Sequence, residues 1–280
     1  MVEKKKTAYW MTHLGLICGV VLIFFPVWVA FVGSTVSQDD IIYPPLPLLP
    51  GPHLIDNYAN ALFRGGPEGY AGASQVPVIR MLMNSAIMAF GIASLSVFVS
   101  MMAAYSLVYF KTRFSTLFFW LIFITLLVPL ELRILPSYQI VSDLNLLNSY
   151  AGLILPLSAS AIATFFFRQY YRSIPEELLE AAKLDGANSW KFFIDFLVPL
   201  SKTMIAAMFI FMFVYGYNQY LWPLIMTTSE KYWTVVMGLK MIYGGNSVDR
   251  YTYVILSLIP PVIIIVFLQR LFIQGLFQSK

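Results

Sequence analysis

Charged side chains are scarce in this 280-residue sequence. They make up 11% of it, whereas a soluble domain usually carries about 25%. Hydrophobic residues make up 59%, aromatic residues 16%, and the mean hydropathy is +0.74. This composition excludes an ordinary soluble protein and predicts an all-α membrane protein, because helices satisfy their own backbone hydrogen bonds in lipid.

Cysteine and histidine are almost absent. The single cysteine, Cys18, excludes an intrachain disulfide, and the isolated His13 and His53 do not make a metal site. The sequence also lacks an H-E-x-x-H motif, a G-x-S-x-G motif and any Gly-Lys pair, so it has no nucleotide-binding P-loop. We therefore predict no catalytic residue, no metal site and no cofactor bound by this chain. If it moves a solute uphill, ATP and Mg²⁺ must be used by another subunit.

Apolar runs long enough to cross a bilayer, which takes about 20 residues, are by contrast abundant. They lie at residues 14–33, 82–110, 115–136, 150–170, 200–226 and 252–273. The first follows a run of three lysines but has no clean small-x-small cleavage site, so we interpret it as a retained signal anchor. We expect a cytoplasmic N-terminus, residues 1–13, and a single transmembrane domain of six helices, residues 14–280.

The distribution of lysine and arginine gives the predicted orientation. If the N-terminus is cytoplasmic, 12 of the 18 basic residues fall in cytoplasmic segments and 6 in external ones. Lys and Arg are enriched in the cytoplasmic loops of membrane proteins. Both termini are therefore predicted to be cytoplasmic, with external loops at 34–80 and 227–250 and a polar cytoplasmic loop at 173–199.

The cytoplasmic loop begins with the signals of a short helix. Ser173 and Glu176 fit a capping box at its start. A helix is predicted from about 175 to 184, and Gly186 can end it in a left-handed turn.

A second short helix is predicted at 189–197, with Asn188 or Ser189 as its N-cap. Residue chemistry alone leaves two interpretations of this helix pair open. It can lie on the membrane surface as amphipathic helices, or the slim face at Ala181 and Ala182 can dock into a groove on a soluble partner.

The spacing of residues within this loop resembles a known motif. Glu180-Ala181-Ala182 is followed after three residues by Gly186, and after nine more by Phe196-Leu197-Val198-Pro199. This resembles the EAA loop of ATP-binding-cassette (ABC) importer permeases, which ends in Ile-x-Leu-Pro; Phe and Val stand here for Ile and Leu. In that family the loop is a coupling helix held in a cleft of the ATPase subunit. The resemblance implies an ATPase-coupling joint made of Glu180, Ala181, Ala182, Asp185 and Gly186.

The resemblance extends over the whole chain. Six spans, a long first external loop and a further external loop before the last span resemble the second permease subunit of the maltose-type carbohydrate importers, and residues 217–228 resemble that group's W-N-E/Q-x-L-W-P-L stretch. The resemblance implies a type I ABC importer permease fold in the bacterial inner membrane. It also implies a homologous second permease as heterodimer partner, two ATPase subunits and an extracytoplasmic solute-binding protein into which loop 227–250 reaches. No nucleic acid is expected.

Several stretches resemble, within that group, the permeases of importers for sn-glycerol-3-phosphate; one is FWLIFITLLVPLELRILP. This resemblance implies uptake of sn-glycerol-3-phosphate or related glycerophosphodiesters. The alternatives are the same fold carrying a neutral sugar, or a self-sufficient secondary carrier.

Polar residues within or at the ends of the spans are the candidates for lining a solute path. Glu131 and Arg133 lie near the outer end of the third span, and a guanidinium suits a phosphate because it donates two parallel charge-assisted hydrogen bonds. Arg133 can equally reach outward to the interface or pair with Glu131. Asn218, Gln219 and Tyr220, in the fifth span, are expected to line the path or to hydrogen-bond between helices.

Overall fold

The computed structural model describes residues 2–43, 45, 47–64, 76–110, 113–241 and 247–277. The described residues are mostly helical and contain no strand. The helices are α1 (Val2–Gly33), α2 (Gln38–Ile42), α3 (Leu54–Phe63), α4 (Val78–Tyr109), α5 (Ser115–Ile124), α6 (Leu130–Asp143), α7 (Tyr150–Ile154), α8 (Ala161–Ser173), α9 (Glu176–Leu184), α10 (Ser189–Lys191), α11 (Val198–Leu200), α12 (Lys202–Tyr217), α13 (Leu221–Met226), α14 (Val235–Met241) and α15 (Ser247–Phe277). A π-helical segment, Phe192–Leu197, joins α10 to α11, and 3-10 turns occupy Thr125–Leu127, Leu155–Leu157 and Glu230–Tyr232.

Three helices are by themselves long and apolar enough to cross a membrane. They contain the stretches Trp10–Gly33, Val78–Tyr109 and Val248–Arg270, whose mean hydropathies are 2.6, 2.0 and 2.3. They correspond to the first, second and sixth spans that the sequence predicts.

The third, fourth and fifth predicted spans overlap bent pairs of helices, although the pair at the fifth, Ser189–Leu200 with Lys202–Tyr217, starts and ends before the predicted 200–226. Each pair is bent at a short break: Ser115–Leu127 with Leu132–Asp143 (105°), Tyr150–Leu157 with Ala161–Ser173 (47°), and Ser189–Leu200 with Lys202–Tyr217 (76°). A proline, Pro129, Pro156 or Pro199, lies at or near each break. By length and composition the described residues thus hold three spans, or up to six if each bent pair is one span.

The chain divides into two compact units. The first consists of residues 1–80 and 238–259, and the second of residues 81–237 and 260–280. In the first unit, the Asn57 side chain donates to the backbone oxygens of Ser34 and Val36, at 3.0 Å each, and so ties α3 to the end of α1. The prolines and glycines of loop 34–80 predict an extended, irregular segment, but its described part includes α2 and α3.

Helix α2 begins with a capping box. The Ser37 hydroxyl donates to the Asp40 carboxylate at 2.7 Å, and the Ser37 N–H donates to the same oxygen at 3.1 Å. These two hydrogen bonds, the first being the stronger cause, lower the pKa of Asp40 below its usual value.

In the second unit, small residues of α4 support the break between α7 and α8. The Ser96 and Ser100 hydroxyls donate to the carbonyl oxygens of Leu157 and Ser160, at 3.4 and 3.1 Å. These two carbonyls lie at the break, so the two serines hold both sides of it to α4. Gly91 allows the close approach, because a Cβ there would lie 2.6 Å from the Ile154 Cδ1 atom.

Candidate functional site

The end of α9 has the geometry that the EAA spacing predicts. Gly186 has a φ of +74°, in the left-handed region that glycine adopts at low cost. The Ala187 N–H donates to the Ala182 oxygen at 2.9 Å, and the Gly186 N–H donates to the Lys183 oxygen at 3.0 Å. Together these bonds form a Schellman motif, which ends the helix and turns the chain sharply.

The start of α9 differs from the prediction. Ser173 is the last residue of α8, its hydroxyl donates to the Tyr170 carbonyl oxygen at 2.7 Å, and Pro175 occupies the N-cap position of α9. The capping box between Ser173 and Glu176 is therefore wrong. The Ser-x-x-Glu pattern does not form a cap here because α8 extends to Ser173, the residue that would have to cap α9.

The second short helix begins as predicted and ends later. The Asn188 side-chain oxygen accepts the Lys191 N–H at 2.8 Å, which confirms the N-cap. The prediction that the helix ends at residue 197 is wrong, because the helical backbone continues through Pro199 to Leu200. Pro199 lies in the first turn of α11, where a helix does not need its N–H.

The five residues of the predicted coupling joint do not all face the same way. Glu180, Ala181, Asp185 and Gly186 are exposed, whereas Ala182 is only 1% exposed. Four of the five are therefore accessible on this chain. Ala182 is buried and is therefore not accessible to a partner on this chain.

Two apolar side chains beside the joint were missed by the sequence reasoning. Leu184 at the end of α9 is 89% exposed, and Trp190 in α10 is 54% exposed. The available signal was a leucine placed between Lys183 and Asp185, where an amphipathic helix would carry a polar residue.

Aromatic contacts join the segment after the Gly186 turn to the end of α4. The Tyr105 hydroxyl donates to the Ser189 carbonyl oxygen at 2.8 Å, and the Tyr105 and Phe193 rings lie 5.3 Å apart. Tyr109 packs edge-on against Phe192 at 5.4 Å. Phe192 and Phe193 are 2% and 3% exposed, so the segment is packed firmly against a long spanning helix.

Arg133 borders a cavity of about 310 Å³ in the second unit. The cavity lies where the α5–α6 break, the α7–α8 break and α12 come together, and Ser137, Ser160, Tyr215 and Trp222 also line it. The side chain of Glu131 lies outside the described ones. The structure therefore places one of the two predicted charges at a cavity.

The fifth-span polar residues lie at a further break. Asn218 is the C-cap of α12, and α13 begins at Leu221. The Gln219 side chain donates to the Tyr215 carbonyl oxygen at 3.2 Å. Asn218, Gln219 and Tyr220 are not among the residues that line the cavity, although Tyr215 and Trp222 on either side of them are.

Loop 227–250, which the sequence predicts to be external, is fixed at its beginning to other residues of the second unit. The Asn148 side-chain oxygen accepts the N–H groups of Thr228 and Ser229 at 2.8 Å each. The Asn84 side-chain amide donates to the carbonyl oxygens of Lys231 and Trp233, also at 2.8 Å each. Residues 242–246 of this loop lie outside the described ones, so the sequence prediction that the loop reaches into a binding protein stays a prediction.

Comparison with known proteins places these features in a family. Residues 96–278 match the family described as the binding-protein-dependent transport system inner membrane component. The chain belongs to this family. It is therefore a permease subunit of an importer and not an enzyme. The matched residues include the Gly186 turn, the residues that line the cavity and the beginning of loop 227–250.

Relatives of known name cover the whole permease. It is 44% identical, over 285 aligned positions and 100% of both chains, to the protein named sn-glycerol-3-phosphate transport system permease protein UgpE of Brucella melitensis. The proteins of that name from Rhizobium meliloti and Shigella flexneri match with the same identity and coverage. The sequence prediction of an importer permease related to this group is confirmed.

A solved structure shares the permease's fold. A bacterial ABC transporter involved in the import of the acidic polysaccharide alginate has a chain that superposes with a TM-score of 0.79. The match covers 95% of this permease and 97% of that chain at 18% sequence identity. The predicted helical ABC importer permease fold is thereby confirmed, and its number of spans and orientation stay predictions.

Replacing Asn148 by alanine is expected to release the beginning of loop 227–250. The change removes the acceptor of two backbone N–H groups, which costs about 1–3 kcal/mol of stability for a group left without a partner. Limited proteolysis of the solubilised importer should then cleave within residues 227–237 faster than in the wild type.

The control for this prediction is Asn148→Asp. Aspartate keeps an oxygen acceptor and tolerates the φ of +53° that Asn148 adopts. Equal cleavage rates for the wild type and Asn148→Ala would contradict the anchoring role.

Proposed function

We propose that this permease forms half of the path by which an ATP-driven importer takes up sn-glycerol-3-phosphate or related glycerophosphodiesters. The observation that carries the proposal is the 44% identity, over the full length of both chains, to several permeases named for sn-glycerol-3-phosphate transport. The Arg133 side chain beside a cavity supports an anionic solute, since a guanidinium binds phosphate with two charge-assisted hydrogen bonds.

The proposed assembly contains further chains. This permease would pair with a homologous second permease, bind two ATPase subunits that use ATP and Mg²⁺, and receive solute from an extracytoplasmic binding protein. In the bacterial inner membrane it would have six spans, with each bent pair as one of them, and both termini in the cytoplasm. The excess of lysine and arginine in the segments on that side supports this orientation.

We propose that α9 and the Gly186 turn form the joint with the ATPase. The exposure of Glu180, Ala181 and Asp185 supports this, because a partner can reach them on the isolated chain. The exposed side chain of Trp190 adds an aromatic anchor of the kind that dominates binding energy at protein interfaces. The contacts of Tyr105 with Ser189 and Phe193 would pass the movement on to α4.

Residues at the breaks are proposed to border the solute path. They are Arg133, Glu131, Asn218, Gln219 and Tyr220. Discontinuous spanning helices commonly form solute sites in transporters because they place backbone polar groups at mid-membrane depth, and this supports the assignment.

Uptake measurements test the proposed solute. The permease is expressed with its partner subunits in a bacterial strain that lacks other routes for glycerol phosphate, and uptake of radiolabelled sn-glycerol-3-phosphate is compared with that of maltose. We expect uptake of the phosphate ester and none of the neutral sugar, with loss of uptake when the permease gene is removed. Uptake of maltose alone would favour the neutral-sugar alternative. Uptake without the ATPase subunits would favour a secondary carrier.

A further inference from the structure

The cavity beside Arg133 has the size and position of a ligand site. Its volume of about 310 Å³ falls at the small end of the range of about 300–1,000 Å³ that is usual for ligand pockets. It lies at two helix breaks, those between α5 and α6 and between α7 and α8, with α12 completing the wall. A small polar solute fits these dimensions.

Hydrogen bonds to α4 and within α8 hold Ser160, in one wall of this cavity, in place. Ser160 lines the cavity and caps α8, because its hydroxyl accepts the Ala163 N–H at 3.2 Å. Its carbonyl oxygen accepts the Ser100 hydroxyl of α4 at 3.1 Å and the Thr164 hydroxyl at 2.9 Å. The wall is therefore preorganised before any solute enters, which lowers the entropic cost of binding.

Arg133 is the charge that faces the cavity. Among the side chains that the structure describes, no carboxylate forms an ion pair with its guanidinium. A positive charge among spanning helices is costly unless a counter-charge or polar partner satisfies it. Ser137, four residues later in α6, lines the same cavity and adds a hydroxyl one helical turn away.

Other lining residues of the cavity are aromatic, unlike the polar corner formed by Arg133 and Ser137. Trp222 and Phe211 contribute aromatic surface, and Tyr215 contributes both a ring and a hydroxyl. Trp222 is fixed, since its indole N–H donates to the Leu153 carbonyl oxygen at 3.2 Å and the residue is 1% exposed. The cavity thus offers a cationic corner for an anion and an apolar wall for the carbon skeleton attached to it.

We infer that this cavity is a binding site for the phosphate group of the transported solute, with Arg133 as its charged ligand and the Ser137 and Ser160 hydroxyls as neutral ones. The inference rests on the proposed function and goes one step further. It makes this permease, of the two expected in the importer, a subunit that contacts the solute directly. The starts of α6 and α8 add only smaller partial positive charges.

The test is an uptake series with the complete importer. Saturating sn-glycerol-3-phosphate is offered to cells with wild-type permease, Arg133→Gln, Arg133→Lys, Ser137→Ala or Arg64→Gln. Arg64 is an exposed arginine at the end of α3 that does not line the cavity, so it controls for the loss of one positive charge. Each rate is divided by the amount of permease in the membrane, and ATP hydrolysis by the purified importer is measured without binding protein.

We expect Arg133→Gln to reduce saturated uptake about 10- to 100-fold, as for the loss of a hydrogen-bonded charged partner. Arg133→Lys should recover part of the uptake rate, because lysine restores the positive charge but cannot donate two parallel hydrogen bonds. Ser137→Ala should lose less, and Arg64→Gln should leave saturated uptake unchanged. In both Arg133 variants uptake should fall by a larger factor than the basal ATP hydrolysis.

Three outcomes would overturn the inference. One is wild-type uptake by Arg133→Gln, which would remove the cavity from the path while the proposed function stands. Another is equal loss of uptake and of basal ATP hydrolysis in both Arg133 variants, which would make the arginine structural. The last is absence of sn-glycerol-3-phosphate uptake by the wild type, which would overturn the proposed function and this inference with it.

Discussion

Replacing Gly186 by valine is expected to abolish solute uptake while the permease still reaches the membrane. The residue has a φ of +74°, and β-branched side chains are strongly disfavoured there. The strain is on the order of 1–3 kcal/mol, which corresponds to about a 5- to 150-fold shift between two conformations. Unwinding the turn relieves it, and the end of α9 then loses its direction.

The effect is expected to come from the backbone and not from crowding within the chain. A Cβ at position 186 would have no atom of this chain within 4 Å. Gly186→Asn is therefore a matched control, since asparagine is larger than alanine but tolerates the left-handed region. We expect Asn to retain most uptake, Ala to retain less, and Val to retain almost none.

Uptake and ATP hydrolysis should be measured together on this series. If the turn carries movement between the ATPase and the spans, Gly186→Val should hydrolyse ATP without importing solute. If instead a partner's surface touches this glycine, Asn should fail as badly as Val. Normal uptake by Gly186→Val would remove the turn from the coupling mechanism.

Local sequence signals predict the end of α9 and the start of α10 correctly, but not the start of α9. The sequence predicts the left-handed turn at Gly186 correctly, because glycine is the residue that adopts a positive φ at low cost. It predicts the N-cap at Asn188 correctly because that cap involves only the next three residues. Ser173 was misassigned, since the choice between ending α8 and capping α9 depends on how far α8 continues. The inward direction of Ala182 depends on packing with residues distant in sequence.

Hydropathy identifies apolar stretches that overlap the bent helix pairs, but it does not show the breaks within them. Apolar residues flank the breaks on both sides, so the average over a window does not register a change of helix direction. The cavity could not be predicted from the sequence either, because its lining residues are distant in sequence. The sequence shows Arg133 as a charge near the end of an apolar run. Ser137, Ser160 and Tyr215 come from three different helices or their caps, and only the tertiary structure brings them together.

Phe193→Ala is expected to loosen the contact between α4 and the segment that follows the Gly186 turn, and so to weaken coupling between ATP hydrolysis and uptake. Phe193 is 3% exposed and packs on Tyr105 of α4, and truncating a buried phenylalanine costs about 3–5 kcal/mol. The segment that follows the Gly186 turn would then be held to α4 by the hydrogen bond from Tyr105 to Ser189 and by the contact of Tyr109 with Phe192. We expect a lower thermal unfolding midpoint of the purified importer and a large loss of uptake.

Two neighbours supply the controls that separate lost coupling from general instability. Tyr105→Phe removes only one hydrogen bond, worth about 0.5–1.5 kcal/mol, and keeps the ring against Phe193. Ile194→Ala shortens a side chain that is 44% exposed on the same segment. If the packed rings transmit the movement, uptake per ATP hydrolysed should fall most in Phe193→Ala and stay near the wild-type ratio in Ile194→Ala. A constant ratio in all three variants would mean that these rings only stabilise the segment, and that movement reaches the spans by another route.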